Sequence, residues 1–156
     1  MFMALREIVT VGDEILRKVS REVTSIDDRT RILLDDMADT MHFEQRGVGL
    51  AAVQVGVLKR IFIADIGDGT GVHEFINPEL FDLSGSVISN EGCLSVPGKS
   101  GDVERPDELL IRALDRFGKP FELHAKGFMA VCICHEYDHL NGILFIDKVK
   151  GEIVSN

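Results

Sequence analysis

The segment from Phe128 to His139 constrains the fold of this chain most strongly. Its longest uninterrupted apolar run, the seven residues Phe128 to Cys134, leads directly into His135-Glu136-Tyr137-Asp138-His139. A run of this length is far below the ~20 residues needed to cross a bilayer. Residues four apart share one face of a helix, so both imidazoles can reach a single metal ion. We therefore predict a helix over about 127–140 that carries a metal site, with two unrelated histidines as the alternative.

The remaining pattern predicts one α+β domain spanning residues 1–156, because the length is close to roughly 150 residues per domain. A helix is expected from about Ile26 to Arg46, with Ser25 and Asp28 capping its start and Gly47 ending it. Asn77-Pro78 is expected to end one strand. Short, mainly antiparallel strands, packed around the histidine-bearing helix, are predicted at 60–65, up to 75, at 87–88, 108–115 and 120–125, the last two forming a hairpin.

Charge and composition narrow the classes of function. The net charge is −9, from 17 basic and 26 acidic residues, which argues against a direct nucleic-acid site or an anionic membrane partner. The N-terminus lacks the long apolar stretch of a signal peptide, so we predict a cytoplasmic protein. Its three cysteines are expected to be reduced thiols.

A metal site of this kind needs a third protein ligand. The segment after His139 contains no histidine and a single glutamate, Glu152. The downstream ligands of the known zinc proteases are therefore missing. Cys93 lies in Glu91-Gly92-Cys93-Leu94-Ser95, an irregular segment from which its thiolate can reach the helix. A thiolate with two imidazoles suits a borderline divalent metal. The alternative for Cys93 is an inert, small apolar side chain.

A third motif runs from Gly47 to Gln54, in the sequence GVGLAAVQ. Its glycines and alanines allow a bound peptide to approach the backbone closely, and Gln54 offers an amide donor that can polarise a carbonyl. The alternative role for Gly47 is to cap the C-terminal end of the preceding helix, without any contact to a peptide.

Together these three motifs resemble those of the peptide deformylases, G-x-G-L-A-A-x-Q, E-G-C-L-S and H-E-x-D-H, in the same order. Flanking segments are similar as well, so the resemblance covers nearly the whole chain. It implies a hydrolase that removes the formyl group from N-formylmethionine of newly made polypeptides and releases formate. It also implies one divalent metal ion, usually Fe²⁺, with Zn²⁺, Ni²⁺ or Co²⁺ as substitutes.

By motif position, the resemblance assigns a role to each residue of the centre. Cys93, His135 and His139 are expected to be the metal ligands, and a metal-bound water attacks the formyl carbon with Glu136 as general base and then acid. Gln54 and the backbone N–H of Leu94 are expected to stabilise the oxyanion.

The residues themselves predict a substrate pocket and a supporting ion pair, with ordinary core packing and two separate surface charges as the alternatives. Phe128, Val131 and Cys132, together with Val48, are predicted to line an apolar pocket for methionine, and the Gly49 backbone to pair with the extended peptide. An ion pair of Glu91 and Arg105 is predicted to brace the cysteine loop.

Two departures from the family pattern stand out. Cys134 replaces the glutamine that many members have before the first histidine, and we expect it to be structural. Many members also continue into a long C-terminal helix used at the ribosome, whereas 17 residues follow His139 here.

The expected partners are nascent formyl-methionyl polypeptides and, transiently, the ribosome. An endopeptidase and a silent metal-binding module are the competing hypotheses.

Overall fold

The computed structural model describes residues 4–45 and 47–156. In this part of the chain two helices and eight strands follow one another as α1 (Asp28–Phe43), β1 (Gly49–Ala51), β2 (Ile61–Ala64), β3 (His73–Ser84), β4 (Val87–Cys93), β5 (Val96–Arg105), β6 (Glu108–Leu114), β7 (Pro120–Lys126), α2 (Phe128–Leu140) and β8 (Val149–Ser155). Five strands form one sheet in the order β1-β2-β3-β6-β7, and three form another in the order β4-β5-β8. Every strand pair is antiparallel, so the predicted α+β class is confirmed.

The two helices pack on opposite faces of the five-stranded sheet. Side chains alternate along β2, so that Phe62 joins the core cluster containing α2 while Ile61 and Ile63 join the cluster containing α1. All three are fully buried. Helix α2 is almost entirely buried as well, as its uninterrupted apolar sequence predicts. The histidine-bearing helix is therefore held rigidly at the centre of the molecule.

Helix α1 is shorter at both ends than predicted. Its N-cap is Asp27, whose side chain accepts a hydrogen bond from the Thr30 amide, so the expected cap at Ser25 and Asp28 is wrong. The helix ends at Phe43, and Gln45 then adopts a left-handed conformation with φ of 58°. The predicted stop at Gly47 is therefore wrong as well, and the predicted last residue, Arg46, lies outside the described residues.

Strand β3 continues through the Asn77-Pro78 pair that was expected to end it. The register shifts between Ile76 and Glu79, so that proline, which lacks an N–H, lies in an irregular stretch of the strand. Asn77 has a φ of 51°, and its side chain bonds to the backbone N–H and carbonyl of Val23. These two long-range hydrogen bonds offset the energetic cost of the left-handed backbone at Asn77. The local sequence does not reveal them.

Three strands were not predicted, namely β1, β5 and β8, and β4 extends well beyond residues 87–88. After α2, a short 3₁₀ helix (Phe145–Asp147) leads into the edge strand β8. No helix within 4–45 and 47–156 is long and apolar enough to span a membrane.

Candidate metal centre

Helix α2 and strand β4 bring three metal-binding side chains together. His135 and His139 lie one turn apart on α2, with their ring centroids separated by 5.2 Å. Cys93 is the last residue of β4, and its Sγ lies 3.4 Å from Nε2 of His139. One donor atom from each of the three residues lies within 4.8 Å of the other two. This spacing fits one ion bound by a thiolate and two imidazoles.

An irregularity in the β4-β5 hairpin directs Cys93 toward α2. The register shifts between the pairs Glu91↔Gly101 and Cys93↔Val96, after which the chain turns sharply into β5. Such bulges re-aim side chains in many sheets. The cysteine therefore reaches the helix from a second, separate sheet.

Glu91 connects this hairpin to His135. Two nitrogens of Arg105, Nε and Nη2, donate to the Glu91 carboxylate at 2.9 and 2.8 Å, so the predicted ion pair is present in the structure. Burial opposes ionisation of Glu91, but the hydrogen bonds from Arg105 and His135 outweigh it and lower the pKa of the carboxyl to about 2. An ionised carboxylate only accepts hydrogen bonds, so His135 Nδ1 donates to Glu91 Oε1 at 2.8 Å.

The ion pair is part of a larger buried network. Arg105 also donates from Nη1 to Asp138 Oδ2 at 2.7 Å, and Lys148 lies 3.0 Å from the same oxygen. The motif contains Asp138, but the sequence alone assigned it no role, although a carboxylate in the last turn of a buried helix requires a partner. Cys134 faces this side of the helix too, where burial raises the pKa of its thiol to about 11. It therefore remains a neutral thiol at physiological pH.

Glu136 lies beside the three candidate ligands. Its Oε2 is 3.9 Å from Nε2 of His135, and its buried Oε1 has no hydrogen-bond partner among the described residues. Burial raises the pKa of the carboxyl to about 7. Such a group can both accept and release a proton near neutral pH.

The two imidazoles differ in their surroundings. Burial lowers the pKa of His139 well below its usual value, and its Nδ1 is buried with no partner in the described part of the chain. For His135, burial also disfavours the charged form, but the negative charge of Glu136 and the contacts with Cys93 and Glu91 outweigh it and raise the pKa. Surroundings that favour a proton on His135 also favour a divalent cation.

Gln54 reaches the centre from the turn that follows β1. Its side-chain oxygen accepts a hydrogen bond from the Ala51 amide at 2.9 Å, which directs the NH₂ group to Ser95 and Cys93. Gln54 is almost completely buried. The amide is therefore held in one orientation with its donors toward the centre.

A cleft of about 490 Å³ is lined by two of the three candidate ligands, Cys93 and His135. The predicted substrate residues, Val48, Gly49, Phe128, Val131 and Cys132, all line it, as do Gln54, Glu91, Leu94 and Glu136. Val131 and Cys132 are buried at its base, whereas Phe128 is 52 % exposed. Burial raises the pKa of the Cys132 thiol, which as a neutral group donates to the Val48 carbonyl at 3.4 Å.

Gly49 lines the cleft directly against Glu136 and Cys132. A Cβ at this position would come within 2.6 Å of Glu136 Oε2 and 3.0 Å of Cys132 Sγ. Only glycine therefore fits against Glu136 without moving it.

The fold and this constellation define an α+β protein whose candidate thiolate–imidazole centre adjoins a carboxylate, the arrangement of a metal-dependent hydrolase. The family model for polypeptide deformylase matches residues 5–153. Peptide deformylase from Caldicellulosiruptor bescii is 56% identical over 147 residues, which cover 94% of this chain and 87% of the relative. The enzyme from Clostridium botulinum is 55% identical over 146 residues, covering 94% and 97%.

Solved structures agree with the sequence comparison. The crystal structure of a peptide deformylase from Legionella pneumophila has a TM-score of 0.89 and 45% identity, covering 94% of this chain and 87% of that one. The structure of the Ehrlichia chaffeensis peptide deformylase in complex with actinonin has a TM-score of 0.91 and 42% identity, and the match covers 95% of this chain and 90% of that one. This chain belongs to the polypeptide deformylase family and is an enzyme of that family.

Proposed function

We propose that this chain removes the N-formyl group from the formyl-methionyl N-terminus of newly synthesised polypeptides and releases formate. The observation that carries the proposal is the convergence of Cys93, His135 and His139 beside Glu136 and Gln54, in a member of the polypeptide deformylase family. The proposed location is the bacterial cytoplasm, where formylated chains are made.

Cys93, His135 and His139 are the proposed ligands of one divalent metal ion. Their donor spacing, the burial of both imidazoles and the surrounding carboxylates support this assignment. Fe²⁺ is the proposed physiological metal, with Zn²⁺, Ni²⁺ or Co²⁺ as substitutes, since a thiolate with two imidazoles accepts each of them. Such an ion supplies Lewis-acid polarisation of the formyl oxygen and lowers the pKa of a coordinated water.

Glu136 moves the proton. It accepts a proton from the water that attacks the formyl carbon and donates it to the amine nitrogen of the departing peptide. The carboxyl pKa of about 7 suits both steps, and Oε1, which has no hydrogen-bond partner in the described part of the chain, can make the transient hydrogen bonds. Glu136 thus carries the proton from the attacking water to the leaving amine, in a reaction in which water and a formamide give formate and a free amine.

Gln54 and the backbone N–H of Leu94 are the proposed donors to the oxyanion that develops on the formyl oxygen. Both residues line the cleft, and the contact with Ala51 directs the NH₂ of Gln54 inward. Donors that are fixed before the reaction stabilise the developing charge without a cost of reorganisation.

The methionine side chain is proposed to enter the apolar part of the cleft. Val131 and Cys132 form its base, and Val48 and Phe128 form its sides. An unbranched thioether fits such a surface without needing a polar partner.

The rest of the peptide is proposed to bind as an added strand. Within residues 4–45 and 47–156, β1 pairs only with β2 and β4 pairs only with β5, so each is an edge strand there, and residues of both line the cleft. Gly49 offers its backbone at one of these edges. Pairing through the backbone is independent of side chains, so one site accepts many nascent sequences.

Formate release from a formyl-Met-Ala-Ser peptide by anaerobically purified, metal-loaded protein tests the proposal. We expect Glu136→Ala to lower the rate by about 10²–10⁴-fold while its metal content stays unchanged. No formate from metal-loaded wild-type protein would overturn the proposal. Cleavage of an N-blocked peptide at an internal bond would favour an endopeptidase instead.

A further inference from the structure

Ser95 is a completely buried serine in the sharp turn between β4 and β5. Its Oγ lies 3.1 Å from Nε2 of Gln54, which donates to it. The functional proposal above gives this hydroxyl no role, although it lies two residues after Cys93. A buried hydroxyl that accepts a hydrogen bond from the proposed oxyanion donor can fix the orientation of that donor.

The Gln54 amide is held at both of its ends. At one end, the Ala51 N–H donates to Oε1 at 2.9 Å. At the other end, Nε2 lies 3.1 Å from Ser95 Oγ and 3.4 Å from Cys93 Sγ. A single contact at the oxygen leaves the amide free to swing about it, whereas a second contact at the nitrogen fixes its plane. Ser95 supplies that second contact from a different sheet.

The backbone fixes the distance between the two partners. The N-terminal segment donates from the Val9 amide to the Gln54 carbonyl and from the Val11 amide to the Ser95 carbonyl, both at 2.7 Å. Amides two residues apart in an extended chain point to the same side, so one short segment joins both partners. The side-chain contact of Ser95 with Gln54 is therefore supported by two backbone hydrogen bonds.

We propose that Ser95 is a positioning residue for the deformylation reaction, holding the NH₂ group of Gln54 toward the formyl oxygen. This inference rests on the proposed function. Losing one neutral hydrogen bond to a buried donor corresponds to roughly a three- to tenfold effect, so we expect Ser95→Ala to lower kcat by that factor. KM changes by less than about twofold, because the lost interaction is one that matters only as the oxyanion develops.

A double-mutant cycle tests whether Ser95 acts through Gln54. We expect Ser95→Ala to lower kcat in the wild-type background and to have almost no effect in a Gln54→Ala background. Ser20→Ala is the matched control, since Ser20 is also buried but its hydroxyl has no partner among the described residues. Equal effects of Ser95→Ala in both backgrounds, or no effect in either, would overturn the inference.

A second readout does not depend on catalysis. The side-chain NH₂ resonances of Gln54 can be identified in the Zn²⁺-loaded, ¹⁵N-labelled protein as the pair that disappears in Gln54→Ala. We expect Ser95→Ala to shift this pair and speed its exchange with solvent, whereas Ser20→Ala leaves it unchanged. An unmoved pair in Ser95→Ala would overturn the inference even if wild-type protein releases formate. A wild type that releases no formate overturns the proposed function instead, whatever the resonances show.

Discussion

Nδ1 of His135 donates a hydrogen bond to Oε1 of Glu91 across 2.8 Å, which ties helix α2 to strand β4. The same carboxylate accepts two hydrogen bonds from Arg105. With Nδ1 occupied in this way, Nε2 is the nitrogen left for a metal ion, and the ring cannot rotate without breaking a buried contact. Partners of this kind orient metal ligands and raise their basicity.

Replacing Glu91 with glutamine is expected to weaken metal binding. The glutamine keeps the shape of the side chain, but its NH₂ group opposes the Arg105 guanidinium and its neutral oxygen is a poorer partner for His135. We expect the affinity for Zn²⁺ or Co²⁺ to fall by about 10–100-fold, as measured by competition with a chelator. Glu104→Gln, at an exposed carboxylate paired with Lys150, is the control. Equal affinities in the two variants would contradict the prediction.

Removing Arg105 is expected to destabilise the fold. Arg105→Ala leaves Glu91 and Asp138 buried without their shared cation, and breaking a buried ion pair in this way costs about 3–5 kcal/mol. Urea denaturation of the metal-free protein measures the loss in the free energy of unfolding. Arg112→Ala, which breaks the exposed pair with Glu122, should change it little. The prediction fails if both variants unfold at the same urea concentration.

Gln54→Ala is expected to lower kcat by about 10²–10³-fold, the usual effect of deleting one oxyanion donor. The variant should retain its metal, since Gln54 contacts the Cys93 sulfur only at 3.4 Å. Steady-state kinetics and metal analysis of the same preparation check both statements. A variant with unchanged kcat would show that the formyl oxygen finds its donors elsewhere.

Gly49→Ala is expected to reduce activity while the protein remains folded. The added methyl group would lie 2.6 Å from Glu136 Oε2, so the carboxylate must move. Displacing a reacting group by about 1 Å can lower the rate by up to ~10²-fold, and we expect a loss of that order. Formate release and thermal unfolding should be measured together. Wild-type activity in this variant would mean that Glu136 tolerates displacement.

The ion pair of Arg17 with Asp147 should make stability depend on pH in the acidic range. A hydrogen bond from Arg17 lowers the pKa of the Asp147 carboxyl below its usual value in the folded state. The carboxylate therefore contributes stability that is fully present above the unfolded-state pKa of about 3.9 and is lost as the pH falls through the lower folded-state pKa. Unfolding of wild-type and Asp147→Asn protein should converge below that range. Parallel pH profiles would contradict this assignment.

The local sequence predicted those parts of the fold that depend on local periodicity. The apolar run before His135 specifies a buried helix, and the observed α2 begins and ends within one residue of the predicted bounds. The hairpin of β6 and β7 follows from two β-rich segments around Gly118 and forms as predicted. Most of the residues predicted for the site line one cleft, whereas His139 and Arg105 lie behind its wall in contact with Cys93 and Glu91.

Long-range contacts decided the remainder. Strands β5 and β8 contain glycines and charged residues whose pattern does not indicate a strand. They pair with each other although they are distant in sequence, with Lys99 opposite Ser155. Asn77 keeps β3 continuous only because its side chain meets the Val23 backbone.

At the candidate metal centre, too, some features follow from the local sequence and others from the tertiary structure. The sequence alone determined the chemical inventory, a thiol, two imidazoles on one helical face and a carboxylate between them, because side-chain type and helical period are local properties. Only the tertiary structure decided that Asp138 shares Arg105 with Glu91 and that Ser95 meets Gln54. These contacts join segments 33 and 41 residues apart, and their geometry depends on how the two sheets pack around α2.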